Sequence, residues 1–190
     1  MRQHRNSSQL GFSLLEGLVV IGIISIIFAM AIISFGNMTP NAKANSAVAQ
    51  MLYRLRSARE QAIAHRREVQ VQFVGTNQLT ISELWLVGAP PPPTTYTFEG
   101  GAIYTVLPGL PDTPMAFGNS SPVYFENLSG GPPIMKFTTN GSFIDGGNTL
   151  VNGTVFLGIP GKNQSARAVT ILGATGRVRE YHYDGTQWQE

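Results

Sequence analysis

The sequence predicts an α+β protein: one long, kinked N-terminal helix followed by a C-terminal antiparallel β domain. Three observations predict it. From Phe12 to Phe35 the chain is apolar, with one charge, Glu16, and no proline. From Asn41 to His65 the apolar residues fall on a single helical stripe;. After residue 68 the chain breaks into short alternating segments separated by loops rich in glycine and proline, of which the whole sequence holds 21 and 12;.

The run from Phe12 to Phe35 would be about 36 Å long as a helix at about 1.5 Å per residue. A hydrocarbon core is about 30 Å thick, so the run is long enough to span it with some tilt. Arg2 and Arg5 precede it with no acid among residues 1–11. Positive charge beside a spanning helix favours the cytoplasmic side, so the remainder of the chain is expected outside the inner membrane. Glu16 is the anomaly. An ionised residue at mid-membrane costs about 2.5–3.5 kcal/mol on insertion scales. The sequence has no Lys or Arg between Phe12 and Ile33 to offset it. Cutting the chain after Gly11 would create a positive α-amine on Phe12, one helical turn from Glu16 and within reach of it or of a neighbouring helix's Glu16.

A short basic leader, then Gly11, Phe12-Ser13-Leu14-Leu15-Glu16 and a long apolar run resembles the type IV pilin and pseudopilin signature. The resemblance implies cleavage of Gly11–Phe12 by a prepilin peptidase, N-methylation of Phe12, and a role for Glu16 in filament assembly, paired with the amine of a neighbouring subunit. Two other readings compete. A secretory signal peptide would use Ala29-Met30-Ala31 as its cleavage site, but the apolar run is longer than usual and carries a carboxylate. A plain membrane anchor leaves Glu16 without a purpose.

Composition sets further bounds. Lys and Arg number 13 against 11 Asp and Glu, and loss of Arg2 and Arg5 with the leader leaves 11 against 11. A neutral body argues against a broad polyanion-binding surface, though not against a local basic site. Cysteine is absent, which excludes a disulfide scaffold and a cysteine metal site;.

Further along, Gly36 to Asn41 contains Pro40 and is expected to kink or briefly break the helix, with Asn41 capping a new segment. Ala44, Val48, Met51, Leu55, Ala58 and Ala62 then form the stripe, and Lys43, Gln50, Arg54 and Gln61 fall away from it. Arg54, Arg56, Arg59, Arg66 and Arg67 read as a solvated helix face, which their angular spread supports. Leu52 to Phe73 resembles the helix-to-first-strand stretch of the GspH/FimT branch of the pilin family. Glu68–Val74 alternates as a strand, Gly75-Thr76-Asn77 turns, and Leu79–Val87 returns. Pro90–Pro93 marks a stiff surface loop. Tyr96–Phe98, Ala102–Val106, Val123–Phe125 and Ile134–Thr138 are short strands. Asn140-Gly141 and Asp145-Gly146-Gly147-Asn148 are turns, the latter too poor in oxygen ligands for calcium. Thr154–Gly158, Ala168–Leu172 and Val178–Tyr183 close the domain, and Val169 to Arg179 again resembles the GspH/FimT proteins.

No catalytic constellation is present. His4 belongs to the leader, His65 sits at a helix end, and His182 with Asp184 lacks a nucleophile;. The chemistry-bearing motif is Gly176-Arg177-Val178-Arg179. Its two arginines lie two apart on a strand, on one face, and guanidinium forks suit successive phosphates of DNA. The motif resembles one associated with DNA capture in FimT-type minor pilins. Against this, Gly176 suits a turn and the arginines suit solvent or pairing with Glu180 and Asp184. From Pro160 to Glu190, Lys162, Arg167, Arg177 and Arg179 exceed Glu180, Asp184 and Glu190 by only one.

The expected organisation is a leader over 1–11, a membrane-spanning and filament-core helix over 12–35, an amphipathic extension over 36–67 and a periplasmic β-rich head over 68–190. The resemblance implies a non-enzymatic minor pseudopilin of a type II secretion filament, without a cofactor. Its partners would be other pilin or pseudopilin subunits, the prepilin peptidase, the inner-membrane assembly platform and membrane lipid. The alternatives are a FimT-type minor pilin whose partner is DNA, through Arg177 and Arg179, and a minor pilin of adhesion or motility.

Overall fold

The computed structural model describes residues 14–85, 88–126 and 134–190, with the side chains of 30–38 outside that description. The chain divides into two compact units, Met1–Thr39 and Pro40–Glu190.

Helix α1 spans Leu14–His65 and so has residues in both units. In the first unit Leu14, Leu18, Ile21, Ile24, Ile27 and Phe28 are all exposed. A helix apolar on every side is of the kind that buries itself in lipid or among other helices. The one hydroxyl in this stretch, Ser25, satisfies itself by donating to the Ile21 carbonyl at 2.8 Å;. Among the described residues no helix is long and apolar enough to cross a membrane. The expected span over 12–35 reaches beyond that description at both ends, since residues 12–13 and the side chains of 30–35 lie outside it.

Of the kink or short break expected at Gly36–Asn41, the break does not occur. The helical backbone continues through Pro40. Proline's fixed φ is a helical one, so the ring removes a hydrogen bond without ending the helix. Asn41 caps nothing: its Oδ1 is buried and has no hydrogen-bond partner among the described residues.

In the second unit the expected stripe is the buried face. Ala44, Ala47, Val48, Met51, Leu55, Ala58 and Ala62 are buried, while Lys43, Gln50 and Gln61 face solvent. Two antiparallel sheets pack in this unit. The first has the order β3-β2-β1-β6-β7, from β1 (Val69–Val74), β2 (Gln78–Glu83), β3 (Thr94–Thr97), β6 (Ile134–Phe137) and β7 (Phe143–Asp145). The second runs β11-β10-β9-β8-β4, from β4 (Ile103–Tyr104), β8 (Gly153–Ile159), β9 (Lys162–Leu172), β10 (Arg177–Tyr183) and β11 (Trp188–Gln189), with β5 (Val123–Phe125) also pairing β8.

The main core lies under the helix stripe. Val69, Val71 and Phe73 of β1, and Val155, Val169, Ile171 and Val178 of the second sheet, join Met51 and Leu55 there. Fully burying a side chain of this size contributes about 1.5–3 kcal/mol. A second cluster covers the opposite face of the second sheet, where Phe156, Ala168, Tyr181 and Trp188 meet Leu107 and Leu110. The middle of that sheet is therefore buried on both faces. Strand β10 shows the geometry directly: Val178 enters the first cluster and Tyr181 the second.

Candidate functional site

Of the residues assigned to processing, Gly11 and Phe12 lie outside the described residues. Glu16 stands in the first turn of α1, exposed.

The Gly176–Arg179 motif is placed by two turns that meet. Gly176, between β9 and β10, has a φ of +59°, and a Cβ built on it would lie 2.0 Å from the Gly141 carbonyl oxygen. Glycine is required there both for the backbone conformation and for the close approach. The same carbonyl accepts a hydrogen bond from Arg59 Nε at 3.1 Å, and Arg56 Nη2 donates to the Val178 carbonyl at 3.3 Å. Arg56, Arg59 and Arg177 thereby line one cleft of about 480 Å³, with Thr175 and a single acid, Glu60.

The two motif arginines do share a strand face opposite buried Val178, but they do different things. Arg177 is exposed and lines the cleft. Arg179 Nη1 donates to Glu190 Oε2 at 3.0 Å. The Tyr181 side chain does most to hold the Arg179 guanidinium above its ordinary range; burial opposes it next, and the Glu190 charge adds a smaller rise;. The carboxylate that pairs with the motif is thus Glu190, and neither Glu180 nor Asp184. Asp184 is occupied by its own turn, its Oδ1 accepting from the Thr186 and Gln187 backbone N–H groups at 2.8 Å each.

Arg56 and Arg59 correct the picture of a solvated helix face, since each bonds a carbonyl of the β unit. Their i, i+3 spacing beside Leu55 and Ala58 was the available signal, because it places both along one edge of the buried stripe. Arg54 and Arg67 are also engaged, lying 3.9 Å and 4.0 Å from the ring centres of Tyr96 and Trp85;. His65 Nδ1 lies 3.2 Å from Glu83 Oε2.

A second cleft, of about 430 Å³, opens between α1 and strands β9 and β10. Asn45, Val48 and Ala49 form the helix side, and Arg167, Glu180 and His182 the strand side. Arg167 is only 6% exposed. Burial pushes its guanidinium below the ordinary range, partly offset by the Glu180 charge;. Asp145 closes a turn by accepting from the Gly147 and Thr149 N–H groups at 2.8 Å each. Among the described residues no group of three or more His, Asp or Glu is placed to hold a metal ion.

A helix that exposes apolar side chains over its first turns, with Glu16 as the one charge, followed by a stripe seated on antiparallel sheets, is the α+β make-up of a pilin-like subunit. The chain belongs to the family described as type II transport protein GspH, whose model matches residues 47–175, more than half of it. The prokaryotic N-terminal methylation motif matches residues 6–32, which include Gly11, Phe12 and Glu16. Among solved structures, the chain is similar to the minor pilin FimU of Pseudomonas aeruginosa strain PAO1, with a TM-score of 0.49 at 17% identity over 78% of this chain and 94% of that one. It is also similar to the minor pseudopilin EpsH of the type 2 secretion system of Vibrio cholerae, with a TM-score of 0.45 at 17% identity over 74% and 97%. No curated protein matches the sequence. The motif and the family imply a membrane-anchored, periplasm-facing structural subunit that assembles with other pilin-like subunits.

Proposed function

We propose that this chain is a minor pseudopilin of a type II secretion filament. A prepilin peptidase cuts Gly11–Phe12, Phe12 is N-methylated, and the processed subunit leaves the inner membrane through an assembly platform to enter a helical filament that supports protein export. The observation that carries this reading is the coincidence of a methylation-motif match over 6–32 with a GspH match over 47–175 in one chain. The exposed apolar side chains of α1 from Leu14 to Phe28, among which Glu16 is the one charge, supply the packing face. Glu16, in the first helical turn, is the residue that meets a neighbour's N-terminal amine in the filament. Mass spectrometry of the processed protein is expected to find methyl-Phe12 at its start. Glu16→Ala is expected to be cleaved normally yet to stay out of filaments. A different first residue, or normal incorporation of Glu16→Ala, rules the account out.

A second reading, that of a DNA-binding minor pilin, is favoured by the clustering of Arg56, Arg59 and Arg177 in one cleft. In this reading Arg177 contacts phosphate while Arg179, held by Glu190, supports it. Neutralising so few phosphates gives weak, strongly salt-dependent binding. An electrophoretic shift assay tests it: Arg177→Ala with Arg179→Ala abolishes retardation if the reading holds, and an unchanged shift refutes it.

A further inference from the structure

We infer that the cleft around Arg167 is a binding site for a carboxylate. A guanidinium carries five N–H donors. In Arg167, Nε donates to Asn45 Oδ1 at 2.7 Å, and Nη1 donates to the carbonyls of Gln164 at 3.0 Å and Ala166 at 2.8 Å. Those bonds fix the plane of the group and leave both N–H groups of Nη2. Among the described residues nothing accepts from them, and no carboxylate comes within 4.0 Å of the guanidinium. Most of the side chain is buried, and Nη2 is its solvent-accessible end, where an anion can make a charge-assisted, two-donor contact with a group already held in place;. The cleft beside it is large enough to admit one.

The lining defines which anion fits. Because Asn45 Oδ1 is already taken by Arg167, the amide nitrogen of Asn45 remains as a donor. His182 is registered opposite Arg167 across the β9–β10 ladder, so its ring rises on the same face;. Val48 and Ala49 give the helix side an apolar floor, suited to the methylene or methyl group next to a carboxylate. Glu180, registered opposite Val169, stands on this face as well, exposed and out of contact with Arg167. A singly charged carboxylate tolerates that neighbour better than a doubly charged phosphate does. The ligand is thus an acid of one carboxylate with a short apolar stem, from a free small molecule or from an aspartate or glutamate of another chain. The site lies wholly within Pro40–Glu190 and does not depend on how the N-terminus is processed.

The test is a titration of the full chain in detergent micelles with sodium acetate, against sodium chloride at equal ionic strength, following the Arg167 guanidinium by nitrogen-15 NMR. A saturable acetate-specific shift is expected. Glu180→Gln removes a like charge and is expected to tighten binding about three- to tenfold. Arg167→Met is expected to abolish binding, and should it fail to fold, Asn45→Ala, which is expected to weaken binding, and Glu180→Gln carry the test. A blocked peptide with one central glutamate, run in parallel, assigns the source: tighter binding than acetate marks another chain, and weaker binding a free acid. Absence of a saturable shift in both wild type and Glu180→Gln overturns the site. So does a loss of thermal stability in Glu180→Gln without any acetate response, which makes Glu180 itself the partner of Arg167.

Discussion

Two glycines with the same backbone conformation make a controlled experiment on the meeting of turns that shapes the basic cleft. Gly75 and Gly176 both have φ of +59°, but a Cβ on Gly75 meets nothing within 4 Å while one on Gly176 meets the Gly141 carbonyl oxygen at 2.0 Å. Alanine at either site incurs the left-handed backbone cost of about 1–2 kcal/mol. At Gly176 it must also displace the carbonyl that accepts from Arg59 Nε at 3.1 Å. A hydrogen bond to a charged group contributes about 1.5–3 kcal/mol. Gly176→Ala should therefore lose about 2.5–5 kcal/mol in total, against about 1–2 kcal/mol for Gly75→Ala. Urea unfolding of the full chain in micelles, followed by tryptophan fluorescence, measures both, with the denaturant slope expected to stay constant. Equal losses at the two sites would show that the turns do not press on each other, and the account of the cleft would fail with them.

Two further outcomes are expected. Leu55 is completely buried in the main core, so Leu55→Ala should destabilise by about 2–5 kcal/mol in the same unfolding assay;. Asp184 is held well below the usual carboxylate range, first by the Gln187 and Thr186 backbone N–H groups and then by the side chains of Thr186 and Gln189. Because the folded value is depressed, this contribution is fully present above the unfolded pKa of about 3.9 and is lost as pH falls toward the folded value. The Thr186 and Gln187 amide resonances should hold steady down to about pH 4 and move only in stronger acid. Asp184→Ala should shift both at every pH.

The first half of the fold was legible because its periodicities are clean. A stripe from Ala44 to Ala62 reads as one helix face, and Val69, Val71 and Phe73 alternate with Gln70 and Gln72, so β1, its turn and the start of β2 fall where expected. The second sheet was harder. Covered on both faces, β8 is buried from Gly153 through Gly158 and offers no alternation to read. Strand β9 begins at Lys162, six residues before the expected Ala168, because Lys162, Asn163 and Gln164 are exposed and look like loop. The short β7 and β11 were not foreseen, since two or three residues carry no period. At Pro40 the sequence left a kink and a short break both open, because a local preference does not decide whether the helix resumes; the helix is continuous. At the clefts, Arg177 was legible from the strand pattern. Arg56 and Arg59 offered only their i, i+3 spacing beside the stripe, since the carbonyls they bond are distant in sequence, and Arg167 offered nothing, since Asn45 lies far away in the chain.

The link between Trp188 Nε1 and the Pro111 carbonyl, 2.9 Å long, joins residues 77 apart, and Arg56 reaches Val178 across 122. Such long-range closures are slow to form, because the intervening chain must be gathered first. A polypeptide emerging N-terminus first would present Met51 and Leu55 well before Val178 existed to cover them, and Leu107 and Leu110 well before Trp188 did. The β unit therefore closes only after its last strands have been synthesised, so its two apolar clusters are completed late and nearly together;.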